Sequence, residues 1–299
     1  MMTDKKTQSK TSANTQALPI YIYLGGSFDP VHNSHLTMLT HVVQSLASNT
    51  PTLSQLNQSE TYSKHQQSTL LNKASINAYL MPASRSPLKQ NSSNPEHRLN
   101  MLTLAITDFY HHSPSYLKQS GLRDRPQHSQ QHIHNQQHKK ADNKTTASPP
   151  TIGICEAEIW QIPPTYTIDT LSTLRTQHPE ASLIFIVGAD NIANLSKWRE
   201  GDKLTQFAHL WIFPRDNLQY KQQIIELLPE RLRAQVTDSI NDLKTEHKGR
   251  IYIDSTSVAP ISSTAIRQAI IDDDHDVAKT TLPAPVYSYI MKNNLYAQS

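Results

Sequence analysis

Cysteine is nearly absent from this 299-residue chain: Cys155 is the single one. That excludes an intramolecular disulfide and fits a reducing compartment such as the cytoplasm. It also gives no support to nucleophilic catalysis by the chain. Long apolar runs are missing, so no membrane span is expected. Met1 to Ala17 is polar and lacks an apolar core, which predicts a disordered leader and no secretory signal. A dominant charge is missing too. With 28 Lys and Arg against 25 Asp and Glu, the net charge of +3 is too small to argue for nucleic acid as a partner. No cluster of carboxylates marks a protein-built metal cage. Glycine is scarce, with 7 in the chain, so the adjacent pair Gly25-Gly26 stands out.

The chain is organised around that pair, in the stretch GGSFDPVHNSH from Gly25 to His35. Before it, Ile20 to Leu24 is apolar, β-branched and aromatic, and reads as a buried strand. After it, residues from His35 to Val43 are apolar at helical spacing, which predicts a helix beginning near Asn33 or Ser34. Strand, glycine turn and helix N-terminus in succession suit an anionic ligand, because a helix start offers unpaired N–H groups and the positive end of a dipole. Two glycines would let a phosphate approach the backbone closely. His32 and His35, three apart, would point to one side of a first helical turn. Each part alone is commonly a plain turn or a pair of surface histidines; the whole string is far more specific.

Along the rest of the chain, Ser48 to Ser75 is dominated by Ser, Thr, Gln and Asn and reads as an insertion. Ile76 to Leu80 reads as a second strand, followed by the loop Met81 to Lys89. Asn94 is the expected N-cap of a helix whose Leu99, Leu102 and Ile106 share a face. His111 to Pro150 is rich in His and Gln; its six lysines and arginines outnumber its two aspartates. Its poverty in apolar residues predicts a solvated, mobile loop. Thr151 to Ile159 reads as a strand burying Cys155, Thr165 to Gln177 as a helix, and Ser182 to Val187 as the central strand. A strand over Ala208 to Phe213 follows. Then come a polar helical region from Tyr220 to about Leu243, a strand over Arg250 to Asp254, a helix from Ile261 and a C-terminal helix over Leu282 to Tyr296. Strands alternating with helices predict an α/β protein with a doubly wound parallel sheet. The expected organisation is a leader over 1–17 and a single domain over 18–299, with polar insertions at about 48–75 and 111–150.

GGSFDPVHNSH resembles the signature of the HxGH nucleotidyltransferase superfamily, with Ser34 where glycine is usual. MPASRSPLK, TYTIDTL, FIVGADNIANLSKW, ISSTAIR and the ending LPAPVYSYIMKNNLY are similar, in the same order, to stretches of the bacterial nicotinate-nucleotide adenylyltransferase family. Thr165 replaces a more usual serine, Pro163 a glycine and Leu88 a histidine.

The resemblance implies a Rossmann-like nucleotidyltransferase fold and a cytoplasmic enzyme of NAD biosynthesis. It implies that nicotinate mononucleotide attacks the α-phosphorus of ATP, giving nicotinate adenine dinucleotide and pyrophosphate, with Mg²⁺ arriving on the ATP. By resemblance, His32 and His35 support the α-phosphoryl group. Ser263, Thr264 and Arg267, at a second helix start, take the β- and γ-phosphates, so Arg267 shares in catalysis. Gly25, Gly26 and Ser27 border the nucleotide, and Asp190 meets a ribose hydroxyl or the adenosine edge. On the acceptor side the resemblance places Lys89, Tyr166, Thr167 and Trp198, with Trp198 stacked on the pyridine ring. Two alternatives stand beside this: the same chemistry on nicotinamide mononucleotide or phosphopantetheine, or a nucleotide-binding regulator that has lost catalysis.

Overall fold

A computed structural model describes residues 17–48, 75–84, 93–112, 150–215, 218, 220–256, 258–259 and 261–297. The expected leader apart from Ala17, the two insertions apart from their edges, and Lys89 lie outside these residues.

Seven strands form one sheet: β1 (Ile20–Gly26), β2 (Ile76–Pro82), β3 (Thr151–Ile154), β4 (Ser182–Gly188), β5 (His209–Phe213), β6 (Val236–Thr237) and β7 (Ile251–Ile253). Their order is β3-β2-β1-β4-β5-β7-β6, and every pairing is parallel. Parallel strands need crossovers, which fixes the helices on the faces. β4 is buried along its whole length, as a strand covered on both sides must be.

Side-chain alternation divides the interior into two cores. Ile184 and Ile186 of β4, with Trp211 and Phe213 of β5, point to one face. Leu183, Phe185 and Val187, with Leu210 and Ile212, point to the other. The first face is covered by α1 (Asn33–Ser48), α2 (Pro95–His112), α7 (Ile240–Thr245), α8 (Ser263–Ile271), α9 (His275–Thr281) and α10 (Ala284–Lys292). The second is covered by α3 (Thr167–Gln177), α4 (Ala189–Ile192), α5 (Lys221–Leu227) and α6 (Glu230–Arg233). This is the doubly wound parallel sheet that the alternation predicts. β1 lies between β2 and β4, so connections diverge there, and the crevice past the C-terminal ends of β1 and β4 is where such sheets hold ligands.

Several expectations are corrected. Gly25 and Gly26 are the last two residues of β1, not a turn after it. Glycine is needed there for packing: a Cβ on Gly25 would lie 3.0 Å from the Phe185 ring, and one on Gly26 3.2 Å from Phe28. The left-handed conformation falls instead on Phe28, at φ 47°, at a cost of about 1 kcal/mol. Ser34 sits inside α1, where glycine has no conformational advantage. β2 runs two residues past its expected end. β3 stops at Ile154, leaving Cys155 half-buried, and the chain beyond it turns at Glu158, whose carbonyl accepts from Gln161 N–H at 2.9 Å. The helical region from Tyr220 is broken at Pro229, which precedes α6 and lacks the N–H a continuing helix needs. Within that region Val236 and Thr237 form the edge strand β6. The separate helix α9 is capped by the Asp274 carboxylate, which accepts from Val277 N–H at 3.3 Å.

Candidate active site

α1 begins at Asn33, as the apolar spacing predicts, so His32 is the residue before it and His35 lies in its first turn. The two imidazoles stack, with centroids 3.7 Å apart and planes 25° from parallel. The backbone N–H of His32 donates to Nδ1 of His35 at 3.2 Å. Neutral His35 therefore carries its proton on Nε2, which is the ring's remaining donor. His32 is 1% exposed, and its Nδ1 has no hydrogen-bond partner among the described residues. A buried nitrogen without a partner is costly unless something else meets it.

Burial, then the charge of Arg215, pushes His32 down to about 4. His35 is held well below its ordinary value by burial first, then His32 and Arg215. Both rings are therefore neutral at pH 7 in the free protein. His209 in β5 is likewise pushed to about 4, chiefly by burial. Its Nε2 meets the Glu246 carbonyl at 2.9 Å, and its Nδ1 accepts from Arg250 N–H at 3.0 Å. A histidine with a depressed folded pKa binds fewer protons folded than unfolded, so its contribution is intact above the unfolded value and is lost as pH falls toward the folded one. For His32 and His209 that window runs from 6.5 down to about 4. Chemical unfolding between those pH values should show stability falling by roughly 3 kcal/mol per histidine. An unchanged midpoint across the window would contradict neutral burial.

The loop from Gly26 to His32 is held at the carbonyls of Gly26, Ser27, Asp29, Pro30 and His32. Ala83 N–H donates to Gly26 O at 2.9 Å, and His35 N–H to His32 O at 3.0 Å. Arg98, on α2 and 1% exposed, donates to Ser27 O at 2.9 Å and to Ala83 O at 2.7 Å. Arg267 Nη1 donates to Asp29 O at 2.6 Å, and Ser263 Oγ to Pro30 O at 2.9 Å. Thr264 Oγ1 accepts from Arg267 Nη2 at 3.2 Å. The ISSTAIR stretch thus does open a helix, with Ser262 as its N-cap accepting from Ala265 N–H at 3.1 Å. Its Ser263 and Arg267 engage the loop that carries the histidines.

Asp190 lies in the first turn of α4, beyond Gly188. A Cβ on Gly188 would sit 2.3 Å from Asp190 Oδ1, so glycine makes room for the carboxylate. Arg215 Nη1 is 3.7 Å from Asp190 Oδ2, and its Nη2 donates to Ile261 O at 2.8 Å. Arg215 is absent from the residues that sequence reasoning singles out. Its place just past the C-terminal end of β5 is the signal that could have found it.

Thr167 is the first residue of α3, after Tyr166 in extended conformation. Ser84 and Thr165 hydroxyls bond at 2.8 Å, joining the end of β2 to this helix start. Trp198 and Tyr166 are both half-buried against the second core. Arg199 beside Trp198 lies 4.7 Å over the Tyr166 ring and 3.3 Å from Asp169. The histidine pair and the Tyr166–Trp198 group thus flank the same edge of the sheet from opposite faces. Lys89 lies outside the described residues. Among the described residues no group of three or more His, Cys, Asp or Glu could hold a metal ion, and no helix is long and apolar enough to cross a membrane.

Residues 68–269 match the model of a family described as cytidylyltransferase-like. A probable nicotinate-nucleotide adenylyltransferase of Idiomarina loihiensis is 26% identical, over 91% of this chain and 97% of its own. A protein of the same description from Legionella pneumophila is 31% identical, over 49% of this chain and 68% of its own. Among solved structures, the Plasmodium falciparum nicotinic acid mononucleotide adenylyltransferase complexed with NaAD matches with a TM-score of 0.57 at 19% identity, covering 93% of this chain and 97% of that one. At that identity it supports the fold alone. The chain belongs to the cytidylyltransferase-like family and, within it, to the nicotinate-nucleotide adenylyltransferases.

Proposed function

We infer that this chain is a cytoplasmic enzyme that transfers the adenylyl group of ATP to nicotinate mononucleotide. The observation that carries the reading is the stacked His32–His35 pair at the start of α1, in which the buried His32 Nδ1 has no partner among the described residues and the His35 Nδ1 is committed to the His32 backbone. Family membership supports the same reading.

The acceptor's phosphate oxygen is already anionic, so no strong general base is required. It forms a bond to the α-phosphorus while the bond from that phosphorus to the β-phosphate oxygen breaks, and pyrophosphate leaves. The task of the protein is to align two polyanions and to neutralise charge on the transferred and leaving groups. His35 donates from Nε2 to the α-phosphoryl oxygens. His32 and the first N–H groups of α1 add donors beside it. Neutral imidazoles beside Arg215 admit the polyphosphate without a fixed counter-charge of their own, and its negative charge raises their proton affinity once bound. Ser263, Thr264 and Arg267 border the leaving phosphates, and Asp190 the nucleoside. Gly25, Gly26 and Ser27 line the same edge. Mg²⁺ is part of the substrate, carried on the phosphates of ATP, which suits a site whose own donors are imidazoles, hydroxyls and guanidinium groups. Tyr166, Thr167 and Trp198 take the pyridine end of the acceptor.

The test is pyrophosphate release from ATP and Mg²⁺ with nicotinate mononucleotide, nicotinamide mononucleotide or phosphopantetheine supplied in turn. Release with the first well above the other two supports the reading. Release with none of them would overturn it.

A further inference from the structure

Asp29 ties three distant segments to the loop that carries the histidines. It is 2% exposed. Its Oδ1 accepts from the hydroxyl of Tyr296 at 2.6 Å, a separation of 267 positions in the chain. Its Oδ2 accepts from Ser93 N–H, just before α2, at 3.0 Å. Its carbonyl oxygen accepts from Arg267 of α8 at 2.6 Å. Three residues on is His32.

Both ends of the Tyr296–Asp29 contact sit on unusual backbone. Tyr296 is at φ 68° and Asn294, two residues before it, at φ 48°. Phe28, beside Asp29, is at φ 47°. Bulky residues in the left-handed region are uncommon and persist where surrounding contacts over-determine them. The hydroxyl–carboxylate bond is short and charge-assisted, the strong kind. Burial, then the Asp29 carboxylate, raises the Tyr296 pKa, so the phenol keeps the proton it donates.

We propose that Tyr296 is a positioning residue for adenylyl transfer: through Asp29 the C-terminal segment locks the Ser27–His32 loop, and with it the stacked histidines, in register with Arg267. The inference rests on the adenylyl-transfer reading. It predicts that the loop loosens when the hydroxyl is removed, although Tyr296 touches neither histidine ring. Loss of register at the reacting group lowers kcat, whereas substrate binding spread over the rest of the crevice is kept.

The test compares Tyr296→Phe with Tyr289→Phe. Tyr289 lies on α10 in the same C-terminal region, and its hydroxyl bonds His97 at 2.9 Å and Asn100 at 3.0 Å, away from the loop. The two variants make the same chemical change at different places. Tyr296→Phe should speed amide hydrogen exchange over Ser27–His35 about tenfold and lower kcat about tenfold, with KM for both substrates within twofold of wild type. Tyr289→Phe should do neither. Adding Tyr296→Phe to Asp29→Asn should cost no more kcat than Asp29→Asn alone, because the Tyr296 hydroxyl acts on the loop through the Asp29 carboxylate. Wild-type exchange and kcat in Tyr296→Phe would overturn the proposal, as would equal changes in the two variants. Hydrogen exchange reads the lock without turnover. A wild-type protein that releases no pyrophosphate would therefore overturn the functional reading, while the exchange comparison still decides whether Tyr296 holds the loop.

Discussion

Replacing His35 by alanine is expected to lower kcat by at least about a hundredfold, the scale for losing one donor aimed at charge developing in a transition state. KM for ATP should change much less. The expectation follows from the position of His35. Its Nδ1 is committed to the His32 backbone N–H at 3.2 Å, leaving Nε2 as the ring's donor. Its ring stacks on His32 and meets Phe28 edge-on, with centroids 4.8 Å apart. Those contacts fix the donor before substrate arrives, which is the condition under which electrostatic stabilisation is most effective. Removing the side chain also removes an acceptor for the His32 N–H, so a His35→Gln variant is the companion: it keeps a polar side chain but not the ring. Steady-state kinetics on both folded variants decide the matter. Near-normal turnover in His35→Ala would refute the role.

Nicotinate mononucleotide should be preferred to nicotinamide mononucleotide by at least about a hundredfold in kcat/KM. The two differ by a carboxylate against an amide, so a site discriminates only by treating oxygen and NH₂ differently. A carboxylate accepts hydrogen bonds and cannot donate them. Thr167 opens α3, so its hydroxyl and the first-turn N–H groups present donors together with the positive end of a dipole. An amide placed there turns its NH₂ toward other donors, and each unpaired polar group costs roughly 1–3 kcal/mol in a closed pocket. Asp169, in the same first turn, is 3.3 Å from Arg199, which offsets a charge that would otherwise repel the carboxylate. Trp198 is half-buried, and its chain neighbour Arg199 lies over the Tyr166 ring. Trp198→Ala should raise KM for the mononucleotide several-fold and leave KM for ATP nearly unchanged. Equal kcat/KM for the two mononucleotides would overturn the acceptor assignment and leave adenylyl transfer standing.

The parts legible in the sequence were those with a strong local signal. β4 is an unbroken apolar run, α1 has apolar residues at helical spacing, and Asn94 does cap α2, its side chain accepting from Glu96 N–H at 3.1 Å. The His32–His35 pair was legible because a three-residue spacing at a helix start can put two rings side by side. What was not legible depends on partners far away in the chain. Gly25 and Gly26 read as a turn, but the neighbours that exclude a side chain there are Phe185, from another strand, and Phe28. Arg98 carries no local sign of its place: it is buried, and two carbonyls of separate loops meet its guanidinium. Arg215 reads as the residue after a strand; Asp190 and Ile261, its partners, come from two other connections. Ser263 and Arg267 were expected to face phosphates, and sequence alone gave no sign that both also hold carbonyls of the Asp29-Pro30 segment.

The central claim is that the acceptor's phosphate oxygen forms the new bond to the α-phosphorus of ATP, with pyrophosphate as the leaving group. Nicotinate mononucleotide carrying heavy oxygen on its phosphate, with unlabelled ATP and Mg²⁺, tests it most directly when the products are weighed by mass spectrometry. The account predicts dinucleotide and pyrophosphate in equal amounts, with all the label in the dinucleotide, one labelled oxygen now bridging the two phosphorus atoms. Label in the pyrophosphate, or release of ADP or inorganic phosphate in its place, would contradict it.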